Sequence, residues 1–186
     1  TSGEFLDRMV ADFNLTKEEL DMLKAVSDAF HATGKRVVVV LNIGGVIETA
    51  SWKSVPDAIL CAWQAGKEGG NSVADVLSGK ASPSGKLTMT FPVKFEDAAS
   101  SANFPIDMRV SIDLVNKGGK KNDVKNVDYT NYEEDIYVGY RYFDTFGKQV
   151  SYPFGYGLSY TTFAYDKAAV KADNGVYTVS VEVKNT

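Results

Sequence analysis

The chain has 186 residues and a formal charge of −4, from 24 acidic and 20 basic side chains. With 44% hydrophobic and 24% charged residues it has the composition of a globular domain rather than a disordered or collagen-like chain, and its acid excess leaves no basic stripe for phosphate, so no nucleic-acid partner is expected. Cys61 and His31 are each alone, which excludes an internal disulfide, a thiolate cluster and a His-rich metal site, and the longest apolar run, Val37 to Leu41, is far short of the roughly 20 residues of a membrane-spanning helix.

Thr16-x-x-Glu19 reads as a capping box, in which each side chain can satisfy an orphan N–H at the start of a helix. Leu20, Leu23, Val26 and Phe30 follow at helical spacing, and Gly34 is placed to end the helix. Val37 to Leu41 predicts a strand with both faces buried, as in a parallel sheet covered by helices. A second strand is predicted over Ala58 to Trp63, a second helix near Asn71 to Leu77, and a third strand near Lys86 to Phe91. Gly79 and the Ser82-Pro83-Ser84-Gly85 turn punctuate these last elements. Strand and helix in alternation predict an α/β layer arrangement, with parallel strands across residues 35–92.

A composition boundary falls near residue 128. No tyrosine precedes Asp128, and all but Tyr177 lie between Tyr129 and Tyr165. The stretch 106–127, with Lys117-Gly118-Gly119-Lys120-Lys121-Asn122, reads as a solvated surface loop flanked by Asp113 and Asp123. Short aromatic β segments follow. In Gly175 to Val183, Tyr177, Val179, Val181 and Val183 share one face, which predicts a half-buried antiparallel strand. The opening at Thr1-Ser2-Gly3-Glu4 and the stop at Asn185-Thr186 lead us to expect a piece of something larger, ending in an unfinished β unit with an open edge.

Three segments carry a resemblance. The first is Ser2-Gly3-Glu4 with Asp7-Arg8. The second runs from Gly34-Lys35-Arg36 and the Val37 to Asn42 strand, through Trp63-Gln64-Ala65-Gly66-Lys67-Glu68-Gly69-Gly70 and Ala74 to Gly79, to Pro83-Ser84-Gly85-Lys86-Leu87. The third joins Tyr137-Val138-Gly139-Tyr140-Arg141-Tyr142-Phe143-Asp144 to Pro153-Phe154-Gly155-Tyr156-Gly157-Leu158-Ser159-Tyr160-Thr161-Thr162-Phe163. In this order they resemble the C-terminal part of glycoside hydrolase family 3, the β-glucosidase and β-xylosidase family.

The resemblance implies a division of the chain: residues 1–128 as the second half of an α/β sandwich domain, 129–161 as its closing segment and linker, and 162–186 as the start of a fibronectin type III-like β-sandwich. It further implies that an N-terminal β/α barrel of the same protein, outside this sequence, carries the nucleophilic aspartate. The implied partner is a β-linked oligosaccharide or glycoside, most simply a glucoside, with no cofactor and no metal. Retaining hydrolysis needs two carboxyls roughly 5 Å apart, one to attack the anomeric carbon and one to protonate the leaving oxygen. The resemblance places the general acid/base on Glu4. Gly3 would let the loop project Glu4 across a domain boundary. Where relatives often have Gly-Tyr, this chain has Phe5-Leu6; Phe5 can replace an apolar contact with the sugar but not a hydroxyl.

Other candidates read more simply as structure. Asp7-Arg8 suits a local ion pair as well as a sugar contact. Gly44-Gly45 lacks the full spacing of a phosphate loop. Glu68 is placed to cap or orient the following helix. Glu133, Glu134 and Asp135 lack the alternating ligand ladder of a Ca²⁺ loop. Trp52 and Trp63 could stack on sugar or fill a core, His31 suits a helix C-terminus, and Cys61 reads as an inert packed thiol. A non-catalytic carbohydrate-binding or interdomain module remains the alternative, and a planar row of exposed aromatics across Tyr129 to Tyr165 would favour it. The sugar, the linkage and the compartment stay open.

Overall fold

A computed structural model describes residues 10–102 and 132–186. After a short 3-10 turn at Val10–Phe13, the first helix, α1, spans Lys17–His31. The capping box forms as predicted: Glu19 N–H donates to Thr16 Oγ1 at 3.2 Å, and Thr16 N–H to Glu19 Oε2 at 2.8 Å. Gly34, at φ +70°, turns the chain back so that Lys35 N–H reaches Phe30 C=O at 3.0 Å. The inward face differs from the spacing prediction. Leu23 and Ser27 are buried, whereas Leu20, Val26 and Phe30 are exposed. The helix therefore seats on the sheet along a narrower stripe than its apolar residues would allow.

Strands β1 (Val38–Leu41) and β2 (Ala58–Cys61) are parallel, with Val38 beside Ala58 and Leu41 beside Cys61. Helix α2 follows at Gly69–Leu77. Val38 and Val40 are exposed, so the predicted burial of both faces is corrected: among the described residues only one face of the pair is covered. Leu41 of that pair joins Leu23, Ile47, Trp52 and Phe91 at the centre of the core, with Ile59 and Cys61 of β2 and Trp63, Leu87 and Tyr152 packed around it.

The third predicted strand is also corrected. Only Phe91–Pro92 forms a strand, β3, and it runs antiparallel to β4, Val150–Tyr152. Residues ahead of it bond elsewhere: Leu87 N–H donates to Tyr156 C=O at 2.8 Å and Gly155 N–H to Leu87 C=O at 2.8 Å. Pro92 has no N–H to extend the ladder. Between them, helix α3 spans Tyr140–Thr145.

The last unit is a hairpin of β5 (Phe163–Asp173) and β6 (Val176–Asn185). Asn174 and Gly175, at φ 46° and 79°, form its two-residue turn, the conformation that favours Asn-Gly. All residues of both strands are exposed, which corrects the half-buried expectation for residues 175–183. A two-stranded ribbon has no second layer to bury Tyr177, Val179 and Val181 against.

Two local expectations follow from this packing. Ser27 is 1% exposed and its hydroxyl has no hydrogen-bond partner among the described residues. Removing an orphaned hydroxyl and gaining helix propensity should together make Ser27→Ala more stable by about 1 kcal/mol. Urea unfolding checks this; a lower midpoint would show that the hydroxyl is satisfied.

Asp57 ties three elements together. Its Oδ2 accepts from Val37 N–H at 2.7 Å, ahead of β1, and lies 2.9 Å from His31 Nε2 at the end of α1. The Val37 N–H and then the His31 ring hold its carboxyl below the usual carboxylate range. A depressed carboxylate contributes stability that is present above its unfolded pKa and is lost as pH falls through the folded value. Asp57→Asn should therefore lower the thermal midpoint at neutral pH, with the gap to wild type closing below about pH 4. A gap of constant size from pH 7 to pH 2 would mean that charge plays no part.

Candidate functional site

The residues assigned by resemblance, Glu4 and Phe5, lie outside the described residues, as do Asp7, Arg8 and the 106–127 loop. In open α/β sheets, ligands bind outside the carboxyl ends of the strands. Here that carboxyl edge is formed by Asn42, directly after β1, and by Trp63 and Gln64, just after β2.

Trp63 is the strained residue of this edge. Its φ is 50°, the left-handed region, which a bulky side chain rarely adopts and which costs on the order of 1–3 kcal/mol. The predicted strand Ala58 to Trp63 accordingly ends at Cys61, because the backbone reverses curvature two residues later. Packing holds it there. The indole lies 6.1 Å from the Phe91 ring, at 54°, and is half-buried against the core. The Cys61 thiol is pushed up by burial, while the Trp63 backbone N–H bonded to it pulls the other way. Gly66, at φ 68°, then turns the chain towards α2. Asn42 and Gln64 are exposed on either side of this turn.

Two of the motifs that carry the resemblance meet in a clip. Pro83 to Leu87 lies against Pro153 to Tyr160 through the paired Leu87 bonds, a Ser82–Ser159 hydroxyl contact at 3.0 Å, and a Lys86 Nζ hydrogen bond to Gly157 C=O. Tyr160 donates its phenol proton to Val76 C=O at the end of α2. Gly157 is required by contact: a Cβ there would stand 2.5 Å from Gly85 C=O. Gly155 is required by conformation, at φ 79°. The Phe-Gly-Tyr-Gly-Leu-Ser-Tyr string thus acts as a structural staple between these segments.

The remaining candidates resolve into structure. Trp52 is 1% exposed, with its indole N–H donating to Glu48 C=O at 2.7 Å, so it fills the core and cannot stack on sugar. The buried Glu48 carboxylate takes Ser51 N–H and Ser51 Oγ, both at 2.7 Å. Glu68 stands at the start of α2 without capping the backbone; its carboxylate instead holds Asn71 Nδ2 at 2.6 Å. Lys53 donates to Ser151 C=O at 2.8 Å beneath the Tyr152 ring, whose phenol burial pushes up. Gly44-Gly45 carries no helix N-terminus behind it, and among the described residues no His, Cys, Asp and Glu cluster could hold a metal. No helix there is long and apolar enough to cross a membrane. Among the described residues the exposed aromatics do not all share one plane: Tyr140 and Phe154 stack at 23° with centroids 4.5 Å apart, but Tyr137 meets Phe146 at 61°.

Comparison with known proteins adds to this geometry. The model of the "Glycosyl hydrolase family 3 C-terminal domain" matches residues 1–160. The chain is 44% identical over 157 residues to β-glucosidase A of Butyrivibrio fibrisolvens, covering 82% of this chain and 16% of that protein. It is 38% identical over 185 residues to an exo-α-(1→6)-L-arabinopyranosidase of Bifidobacterium longum, covering 99% of this chain and 21% of that protein. Among solved structures it superposes on a β-glucosidase from Thermotoga neapolitana in complex with α-D-glucose, with a TM-score of 0.80 and 45% identity, covering 97% of this chain and 23% of that one. The chain therefore spans about a fifth of the length of the relatives it matches.

Proposed function

Because the chain belongs to glycosyl hydrolase family 3, whose C-terminal domain it carries over residues 1–160, we propose that it is the part of a retaining, exo-acting β-glycosidase that supplies the general acid/base, Glu4. The observation that carries this reading is the family match itself, whose span of residues 1–160 includes Ser2-Gly3-Glu4 and the α/β segment. The nucleophilic aspartate belongs to a β/α barrel elsewhere in the parent protein. The substrate is a terminal β-linked sugar, with glucose favoured by the naming of several relatives as β-glucosidases.

The chemistry divides accordingly. The barrel's aspartate attacks the anomeric carbon as Glu4 gives its proton to the leaving oxygen; Glu4, now a carboxylate, then draws a proton from the water that releases the sugar. Residues 1–128 complete the α/β sandwich and 129–161 close it. Residues 162–186 begin a fibronectin type III-like unit, a reading supported by the separate antiparallel hairpin that starts at Phe163 and by the end of the family match at residue 160.

The test is stereochemical. The parent enzyme acting on an aryl β-glucoside should release the β-anomer first, seen by proton NMR before mutarotation, and the 186-residue chain alone should release nothing. First release of the α-anomer would exclude the double displacement, and hydrolysis by the isolated chain would place both carboxyls within it.

A further inference from the structure

We propose that Asn174 is a site of spontaneous covalent modification: its side chain closes onto the Gly175 nitrogen, loses ammonia, and reopens as aspartate and isoaspartate at the tip of the β5–β6 hairpin. Asn174-Gly175 is the only Asn-Gly step in the sequence. The chemistry needs an amide nitrogen free to attack, a carboxamide free to be attacked, and a backbone free to rotate one towards the other. This turn supplies all three. Strand pairing ends at Asp173 beside Val176, so the two residues between them lie outside the ladder. Among the described residues no hydrogen bond is made by the Gly175 N–H or by the Asn174 carboxamide. Both residues are exposed. Gly175 places no Cβ beside the attacking nitrogen, and the space a Cβ would take is open, with no atom within 4 Å. Every residue of both strands is exposed as well. A ribbon without a covering layer opens locally at small cost, and its tip opens first.

Water is the one co-reactant. The Gly175 nitrogen bonds to Asn174 Cγ, the Cγ–Nδ2 bond breaks, and the proton of the Gly175 N–H departs with that nitrogen as ammonia. The five-membered imide left behind then takes up one water at either carbonyl. Opening at the former side chain restores the main chain and leaves aspartate. Opening at the former main-chain carbonyl routes the chain through the side chain and leaves isoaspartate. Both products carry a carboxylate where a neutral amide stood. Aspartate can keep the φ of 46°, because a short polar side chain tolerates the left-handed region. Isoaspartate adds a methylene to the main chain, and the length of this two-residue turn is what sets Asp173 opposite Val176. The hairpin therefore loses its register at the tip when isoaspartate forms. The same chain holds a control. Asn71-Ser72 also sets a small residue after asparagine, but it lies in α2. There Ser72 N–H donates to Glu68 C=O at 2.9 Å, and Asn71 Nδ2 donates to the Glu68 carboxylate at 2.6 Å. Nucleophile and leaving group are both held, and the helix fixes the backbone between them.

The test is peptide mapping by mass spectrometry of the parent enzyme, kept warm at neutral pH and sampled over days to weeks. The peptide that spans Asn174 should gain about 1 Da, the exchange of an amide for an acid, and separate on chromatography into two products. One of the two should accept a methyl group from S-adenosylmethionine in the presence of a protein-isoaspartate methyltransferase. The peptide that spans Asn71 should stay unchanged over the same period. Gly175→Ala, whose Cβ crowds the attacking nitrogen, should slow the mass gain roughly tenfold. Asn174→Gln, which would have to close a six-membered ring, should abolish the methyl acceptance of this peptide. Equal rates at Asn174 and Asn71, a rate unmoved by Gly175→Ala, or aspartate as the sole product at Asn174 would each overturn the proposal, the last because direct hydrolysis forms no imide.

Discussion

Glu4→Gln in the parent enzyme is expected to lower turnover of a disaccharide by about 10²-fold or more, the usual worth of a positioned general acid. The amide keeps the size and most of the hydrogen-bonding outline of the carboxyl but has no proton to give to the departing alkoxide. Such a leaving group is poor, so its departure depends on protonation. A nitrophenolate leaves with little help, so the same variant should lose much less in the first step on an activated aryl glucoside. The contrast between the two substrates is the signature of an acid; a residue that only supports the loop would weaken both alike. Steady-state kinetics on the pair is the check, and near-wild-type rates on both would leave Glu4 a packing or binding role.

Trp52→Ala should destabilise the chain by about 3–5 kcal/mol, a large share of the stability of any single domain. Trp52 is among the most completely buried large side chains and sits at the centre of the cluster formed by Leu23, Leu41, Ile47 and Phe91. Its removal leaves a cavity that four neighbours cannot all fill, and it strips the Glu48 carbonyl of the indole N–H that it accepts at 2.7 Å. Urea unfolding followed by circular dichroism, which does not depend on the lost indole, measures the effect. A loss below about 1 kcal/mol would mean that the core collapses around the gap, contrary to the close packing of protein interiors.

What could be read from the residues is what depends on near neighbours. The capping box at Thr16 and Glu19, the Gly34 stop and the parallel pairing of Val38–Leu41 with Ala58–Cys61 all follow from local spacing and apolar runs. The Asn174-Gly175 turn carries an equally local signal, a dipeptide that favours two left-handed residues in a row, and the sequence reading above missed it. Strand β3 was not legible from near neighbours. Its partner, Val150–Tyr152, is far along the chain, and no local pattern says that Leu87 will bond the Pro153 to Tyr160 segment instead of continuing a strand. Val38 and Val40 show a related limit: an apolar run states what a face can bury, not whether a covering layer is present. Trp63 reads as a strand residue because tryptophan favours strands, and only tertiary packing against Phe91 holds it left-handed. Glycines 155 and 157 stand out in the sequence as a motif, but the reason for each, a positive φ at one and a carbonyl 2.5 Å from the missing Cβ at the other, exists only in the folded clip. The acid/base assignment came from resemblance alone, since a Ser-Gly-Glu tripeptide has no chemistry of its own until a second carboxyl faces it.

The most direct test of that assignment is azide rescue of Glu4→Ala in the parent enzyme, with an activated aryl β-glucoside as substrate. In this variant the first displacement still runs, because the leaving group needs no proton, but the glycosyl-enzyme waits for a water that no base activates. Azide is already an anion and fits the space the side chain vacates. The account predicts that azide raises turnover severalfold or more and that the product is the β-glucosyl azide. Turnover that is indifferent to azide, with glucose as the sole sugar product at close to the wild-type rate, would contradict it.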